Sequence, residues 1–323
     1  MKQVRLLAAA LIAVGLNLSG AGAQVYPDRL IKVIVPFVPG SPVDAAARVI
    51  TQHLQIRLGQ NVIIENRPGG GSTIGTKAVV TATPDGYTLL YIGSNITYQT
   101  MLYPSIDYDP LKGLVPVAST VTWSHVLGIA PSIPATTVAE LVAYAKANPG
   151  KLAFGFGLAT TPHILGETLR QATGIDIVSV PYRGGEQARA DLLGGRVHIN
   201  VAPVPTLLPL IREGKVRPLA YTGPRRSPDL PDVPTMIESG LPQVGYDPDV
   251  WLGFFAPAGT PDAVIGKLNR EINETLKLPE LQATLTKFGH ETSIMTAQEF
   301  AAFIAGEAKK WPPLIQAAGL KPE

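Results

Sequence analysis

The chain has 323 residues, with 27 Lys and Arg against 25 Asp and Glu, a net charge of +2, and no cysteine. That length suits two domains, each able to bury a core of its own. The composition excludes disulfides, thiolate metal sites and cysteine nucleophiles, and no basic block or aromatic-basic interleaving points to nucleic acid.

In chain order, the first segment reads as an export signal. Lys2 and Arg5 precede an apolar stretch from Leu6 to Leu18, and Ala21-Gly22-Ala23 offers small residues for cleavage before Gln24. The stretch is too short to span a bilayer comfortably, and no later segment is long and apolar enough to do so. Residues 1–23 are therefore expected to be a signal peptide, and the mature protein to be exported to a Gram-negative periplasm.

Strand-like and helix-like segments alternate from there on. The apolar run 31–37 ends in a Pro39-Gly40 turn. Ser41 stands where a helix N-cap belongs, with Pro42 at the first helical position and Asp44 two residues on. Val43, Ala46, Ala47, Ile50, Leu54 and Leu58 then fall at helical spacing, and Gly59 closes the helix. A strand thus hands the chain to a helix start, which is a ready site for an anion. Further strands are predicted at 62–66, 88–92, 126–130, 153–156, 177–181, 198–202 and 219–222. Thr137 with Glu140 forms a capping box for a helix to about Ala147, and Thr161-Pro162 opens another that Gly174 closes. Thr260-Pro261-Asp262 and Thr296 with Glu299 open the last two. This alternation predicts mainly parallel sheets flanked by helices. Crossings between lobes are placed at 116–124 and 240–251. One lobe would then comprise 24–120 plus 247–323 and the other 121–246, with a ligand cleft between them.

Three further features bear on chemistry. Gly157, Thr160, Thr161, Pro162 and His163 repeat the first arrangement of strand, small residues, hydroxyl cap and proline. Tyr182 leads into Gly184-Gly185, whose backbone can approach a ligand closely, while Asp191 reads as a structural hydrogen-bonder. The glycine-rich run 65–77 fails as a nucleotide loop. Thr76 separates Gly75 from Lys77, and Ile74 takes the sixth position counted from Gly69. It reads as a turn that adds N–H groups to the cleft. The five histidines lack metal spacing, and Ser94 after Gly93 lacks the second glycine of a nucleophile elbow. Trp251 fits either a cleft floor or a core position. No cofactor or metal is called for.

With those residues in hand, the chain resembles the Bug family of extracytoplasmic solute receptors, the substrate-binding component of tripartite tricarboxylate transporters. The resemblance rests on Pro36-Phe37, Pro39-Gly40, Asp44 and Ala47-Arg48, then on Glu65 to Gly75, Pro84 to Leu90, Val180 to Gly184 with Asp191 to Gly195, and Phe254 to Pro261. It implies an α/β, two-lobed Venus-flytrap periplasmic binding protein that hands a small carboxylated solute to membrane permease subunits. Carried over by motif, the first loop contributes Phe37, Pro39, Gly40, Ser41 and Asp44. The other lobe contributes Thr160, Thr161, His163, Tyr182 and Gly184. Ser94 and Gly185 complete the expected ligand-binding set, which holds no cationic side chain. Ser41 stands where the family usually has glycine, and Val201-Ala202-Pro203 stand where an acidic residue is common. A monomer is expected. The same cleft would serve a ligand-reporting partner of a sensor kinase. An exported hydrolase using Ser94 or Ser41 with His163 is the rival class. Tricarboxylates, dicarboxylates, amino acids and aromatic acids all remain open as solutes.

Overall fold

The computed structural model describes residues 26–158, 160–182, 184–245 and 250–317. The expected signal peptide, 1–23, and Arg183 lie outside these. Branched and aromatic runs form two sheets. The first contains β1 (Ile31–Val35), β2 (Val62–Asn66), β3 (Thr88–Gly93), β4 (Leu114–Trp123), β10 (Val250–Pro257) and β11 (Glu291–Thr292), in the order β11-β4-β10-β3-β1-β2. The second contains β5 (His125–Ile129), β6 (Ala153–Gly157), β7 (Val178–Tyr182), β8 (Ile199–Pro203) and β9 (Arg217–Tyr221), in the order β7-β6-β8-β5-β9.

The α/β class holds, but the sheets are mixed rather than mainly parallel. β1 runs parallel to β2 and β3, and β6 parallel to β7 and β8. β10 runs antiparallel to β3 and β4, and β5 antiparallel to β8 and β9. The cause is the path between sheets. Only Ser124 separates β4 of the first sheet from β5 of the second, and β10 brings the chain back. A strand that carries the chain out and one that returns it, lying side by side, run in opposite senses. Residues 114–123 are thus a ten-residue strand, where the sequence suggested a linker from 116.

Helices cover both faces of each sheet. On the first, α1 (Pro42–Leu58), α7 (Asp262–Leu276) and α8 (Pro279–Lys287) bury Ile50, Leu54, Leu268, Ile272 and Leu281 against Val33, Tyr91 and Phe254. On its other face, α2 (Thr73–Val80) and α9 (Ala297–Ala317) pack Val79, Phe300 and Ile304 onto Ile34, Leu90 and Phe255. Trp251 belongs to this core, fully buried, with its Nε1 donating to Glu307 Oε2 at 2.9 Å. On the second sheet, α3 (Val138–Ala147) and α4 (Thr161–Thr173) face α5 (Gly185–Leu193) and α6 (Val204–Arg212) across the strands. Ile164 of α4 packs with Tyr98, Leu102, Trp311 and Ile315, so α9 ties the two sheets together.

The start signals at Ser41, Thr137 and Thr296 and the stop signals at Gly59 and Gly174 act as the sequence predicts, whereas Thr160 and Thr260 turn their hydroxyls back to Gly157 O and Pro257 O and cap no helix. Ser41 Oγ accepts the Asp44 N–H at 3.2 Å, and Gly59 and Gly174 end α1 and α4 with φ of 64° and 65°. Thr296 and Glu299 close a reciprocal capping box at 3.1 and 2.8 Å. Among the described residues no helix is long and apolar enough to cross a membrane.

Candidate ligand-binding site

The parallel strands of both sheets point their carboxyl ends toward one cavity of about 240 Å³. Ligands in open α/β sheets bind at such ends, where loops and helix starts gather. From the first sheet come Phe37, Pro42 and Val43 at the β1–α1 turn, Gly93, Ser94, Asn95 and Tyr98 after β3, and Trp123, Val250 and Leu252 on the crossing strands. The second sheet supplies His125, then Gly157, Thr160, Thr161 and Pro162 at the start of α4. Gly185, Glu186 and Arg189 follow on α5, with Asn200 to Pro203 on β8 and Thr206 on α6.

The β1–α1 turn is built to hold its shape. Gly40 sits at φ +80°, a left-handed position that a side chain would strain. Asp44, 2% exposed, accepts from Gly40 N–H and Arg48 Nε at 2.9 Å each, and from Asn66 Nδ2 at 2.8 Å. Burial alone would push this carboxyl up. The hydrogen bonds from Arg48, Gly40 and Asn66, with the charge of Arg48, outweigh it and hold the carboxyl below its ordinary value. Pro42 has no N–H, while the Asp44 and Ala45 N–H groups go to Ser41 Oγ and Ser41 O. The donor left over in the first turn is therefore Val43 N–H, at the cavity wall.

The other two helix starts are less satisfied. Thr160 Oγ1 donates to Gly157 O at 2.6 Å and does not cap α4. With Pro162 lacking an N–H and Ile164 bonded to Thr160 O, the Thr161 N–H is the donor that this turn leaves toward the cavity. The N-cap of α5 is Gly184, which has no side chain, and no side chain caps its first turn by a hydrogen bond. Three helix starts from two sheets thus present N–H groups and the positive ends of their dipoles to one space.

Of the twelve expected residues, Phe37, Ser94, Thr160, Thr161 and Gly185 line the cavity. Pro39, Gly40, Ser41 and Asp44 form the turn behind Pro42 and Val43, and Gly184 precedes the α5 start. The His163 ring does not border the cavity. It stacks on Phe156 at 3.9 Å between centroids and 10° between planes, and burial depresses its pKa to about 4 although Glu167 pulls the other way. Tyr182 is engaged elsewhere, its hydroxyl donating to Asp191 Oδ2 at 2.7 Å while Arg196 holds the other oxygen at 2.6 Å. The glycine-rich run contributes nothing to the lining; Gly71 instead lies against the Tyr103 ring.

Sequence reasoning missed the walls. Trp123, His125, Val250 and Leu252 lie on strands whose pairing is long-range; Val201 to Pro203, which the sequence did single out, make an apolar side. The expected set holds no cationic side chain, whereas Arg189 lines this cavity one helical turn after Glu186. Gly185, Glu186 and Arg189 fall on one face of α5, a spacing that only gains meaning once the helix is placed.

The comparisons agree with this architecture. The model of the tripartite tricarboxylate transporter family receptor matches residues 46–320. BugT of Bordetella pertussis is 38% identical, over 99% of this chain and 99% of that protein. A protein of R. palustris solved with adipate superposes with a TM-score of 0.83 at 32% identity, covering 92% of this chain and 100% of that one. MatC from Rhodopseudomonas palustris, solved with bound malate, gives 0.77 at 29% identity, over 90% and 100%.

Proposed function

Because the chain belongs to the tripartite tricarboxylate transporter receptor family, and so is a solute-binding receptor rather than an enzyme, we propose that it binds a small dicarboxylate between its two sheets. The observation that carries this reading is the convergence of the α1, α4 and α5 starts on one cavity. The adipate and malate held by the two similar proteins are both dicarboxylates, which supports the ligand class. The receptor works in the periplasm and delivers its ligand to the membrane permease subunits of a tripartite transporter.

Each helix start contributes about 0.3–1 kcal/mol to holding an anion, and each charge-assisted hydrogen bond about 1.5–3 kcal/mol. Three or four such bonds, less the cost of association, reach a Kd on the order of micromolar. The donors belong to two lobes, 24–120 plus 247–323 and 121–246. The sheet membership of β5 to β9 against β10 supports this division, with the first boundary shifted to Ser124, because β4 runs on to Trp123 within the first sheet. A ligand that bonds to both lobes favours the arrangement in which they are close, so binding and closure are one equilibrium. The apolar wall of Phe37, Val201, Val250 and Leu252 accommodates the methylene chain.

Thr161→Pro tests the reading. Proline is tolerated at the first helical position, but it deletes the Thr161 N–H. Thr161→Val is the control, losing only the hydroxyl. Calorimetry with adipate, succinate and malate is expected to show about tenfold or more weakening in Thr161→Pro relative to Thr161→Val. Equal affinities in the two variants would contradict the use of helix-start donors.

A further inference from the structure

The geometry points to Arg189 as the residue that selects ligands carrying a second negative charge. This rests on the dicarboxylate reading of the same cavity. Arg189 is half-buried on α5, between the fully buried Ala188, which lies against Gly155 of β6, and Leu192, which packs in the core of its sheet. Among the described residues its guanidinium forms no ion pair or hydrogen bond, although Arg48, Arg57, Arg170, Arg196 and Arg226 each hold a carboxylate. Among the described residues it is the sole Lys or Arg in the cavity lining, and Glu186 the sole Asp or Glu.

Glu186 does not neutralise it by contact. The Glu186 side chain folds back over the N-cap, with Oε2 only 2.9 Å from where a Cβ on Gly184 would lie. An unpaired guanidinium facing a largely apolar space is a strong, planar, two-pronged partner for a carboxylate. The spacing fits as well. Arg189 lies four residues beyond Gly185, about 6 Å along the helix axis, so one carboxylate at the helix starts leaves a second within reach of the guanidinium. A short dicarboxylate satisfies both ends, and a monocarboxylate of equal length leaves Arg189 facing methyl.

Titration calorimetry on the purified protein separates the possibilities, using adipate against hexanoate and succinate against butanoate. The wild type is expected to bind each dicarboxylate at least about tenfold more tightly than its partner acid. Arg189→Gln should remove most of that preference while leaving hexanoate and butanoate affinities within about twofold, which also shows that the site is intact. Glu186→Gln should act in the opposite direction, tightening dicarboxylates about two- to threefold by removing a like charge. A dicarboxylate preference that survives Arg189→Gln overturns the assignment, as does a wild type that binds mono- and dicarboxylates equally. If no carboxylate of either kind binds the wild type, the dicarboxylate reading of the cavity fails instead.

Discussion

His163 and His290 show how burial fixes the charge of single side chains here. His290 is 4% exposed, neither ring nitrogen has a hydrogen-bond partner among the described residues, and its ring lies 4.9 Å from that of Trp123. Burial lowers the pKa of each histidine from 6.5 to about 4. Both are therefore neutral in the folded protein at neutral pH and protonate more readily when unfolded. Their contribution to stability is complete above pH 6.5, erodes as the pH falls from 6.5 toward 4, and stops changing below that. Thermal unfolding followed from neutral to acid pH should show Tm falling through this window. His290→Leu should make the fall shallower, and an unchanged slope would contradict the buried, neutral ring. At this scale the sequence is a partial guide. It picks out His163 as a residue near a helix start, but the ring's direction is decided by stacking on Phe156, a contact that no spacing rule foretells.

The helices are placed by close contacts as much as by apolar stripes. Gly166, in the middle of α4, lies against the Phe154 ring of β6, and a Cβ there would come within 1.9 Å of Cε1. Gly166→Ala gains helix propensity but must push α4 away from the sheet, a net loss of about 1–3 kcal/mol in urea unfolding. Phe154→Leu should recover part of that loss in the double variant, since it clears the space, whereas additive losses would refute the contact. Because Thr160 and Thr161 ride on α4, the displacement should also weaken ligand binding. Helix starts and ends were legible because capping is local, as Ser41 with Asp44, Thr296 with Glu299, and Gly174 demonstrate. β4 and β10 escaped notice because neither alternates. β10 is buried at every position, and β4 opens on Leu-Val-Pro and hides Ser119 and Thr120. Their partners lie far along the chain, so only the assembled sheet reveals them.

Across the whole molecule, the path of the chain explains the site. Two sheets joined at Ser124, with α9 packed across to Ile164, bring helix starts from distant parts of the sequence around one space. The family, the α/β class and the positions of the helix starts could be read from local motifs. The mixed sheets and the cation at Arg189 could not, since both depend on how elements far apart in sequence meet. The most direct measurement is a crystal structure of the protein with adipate or malate in the cavity. The account predicts one carboxylate within hydrogen-bond distance of the Val43 N–H on one side and of the Thr161 or Gly185 N–H on the other, with the second carboxylate at Arg189. A ligand held by groups of one sheet alone, or seated outside this cavity, would contradict it.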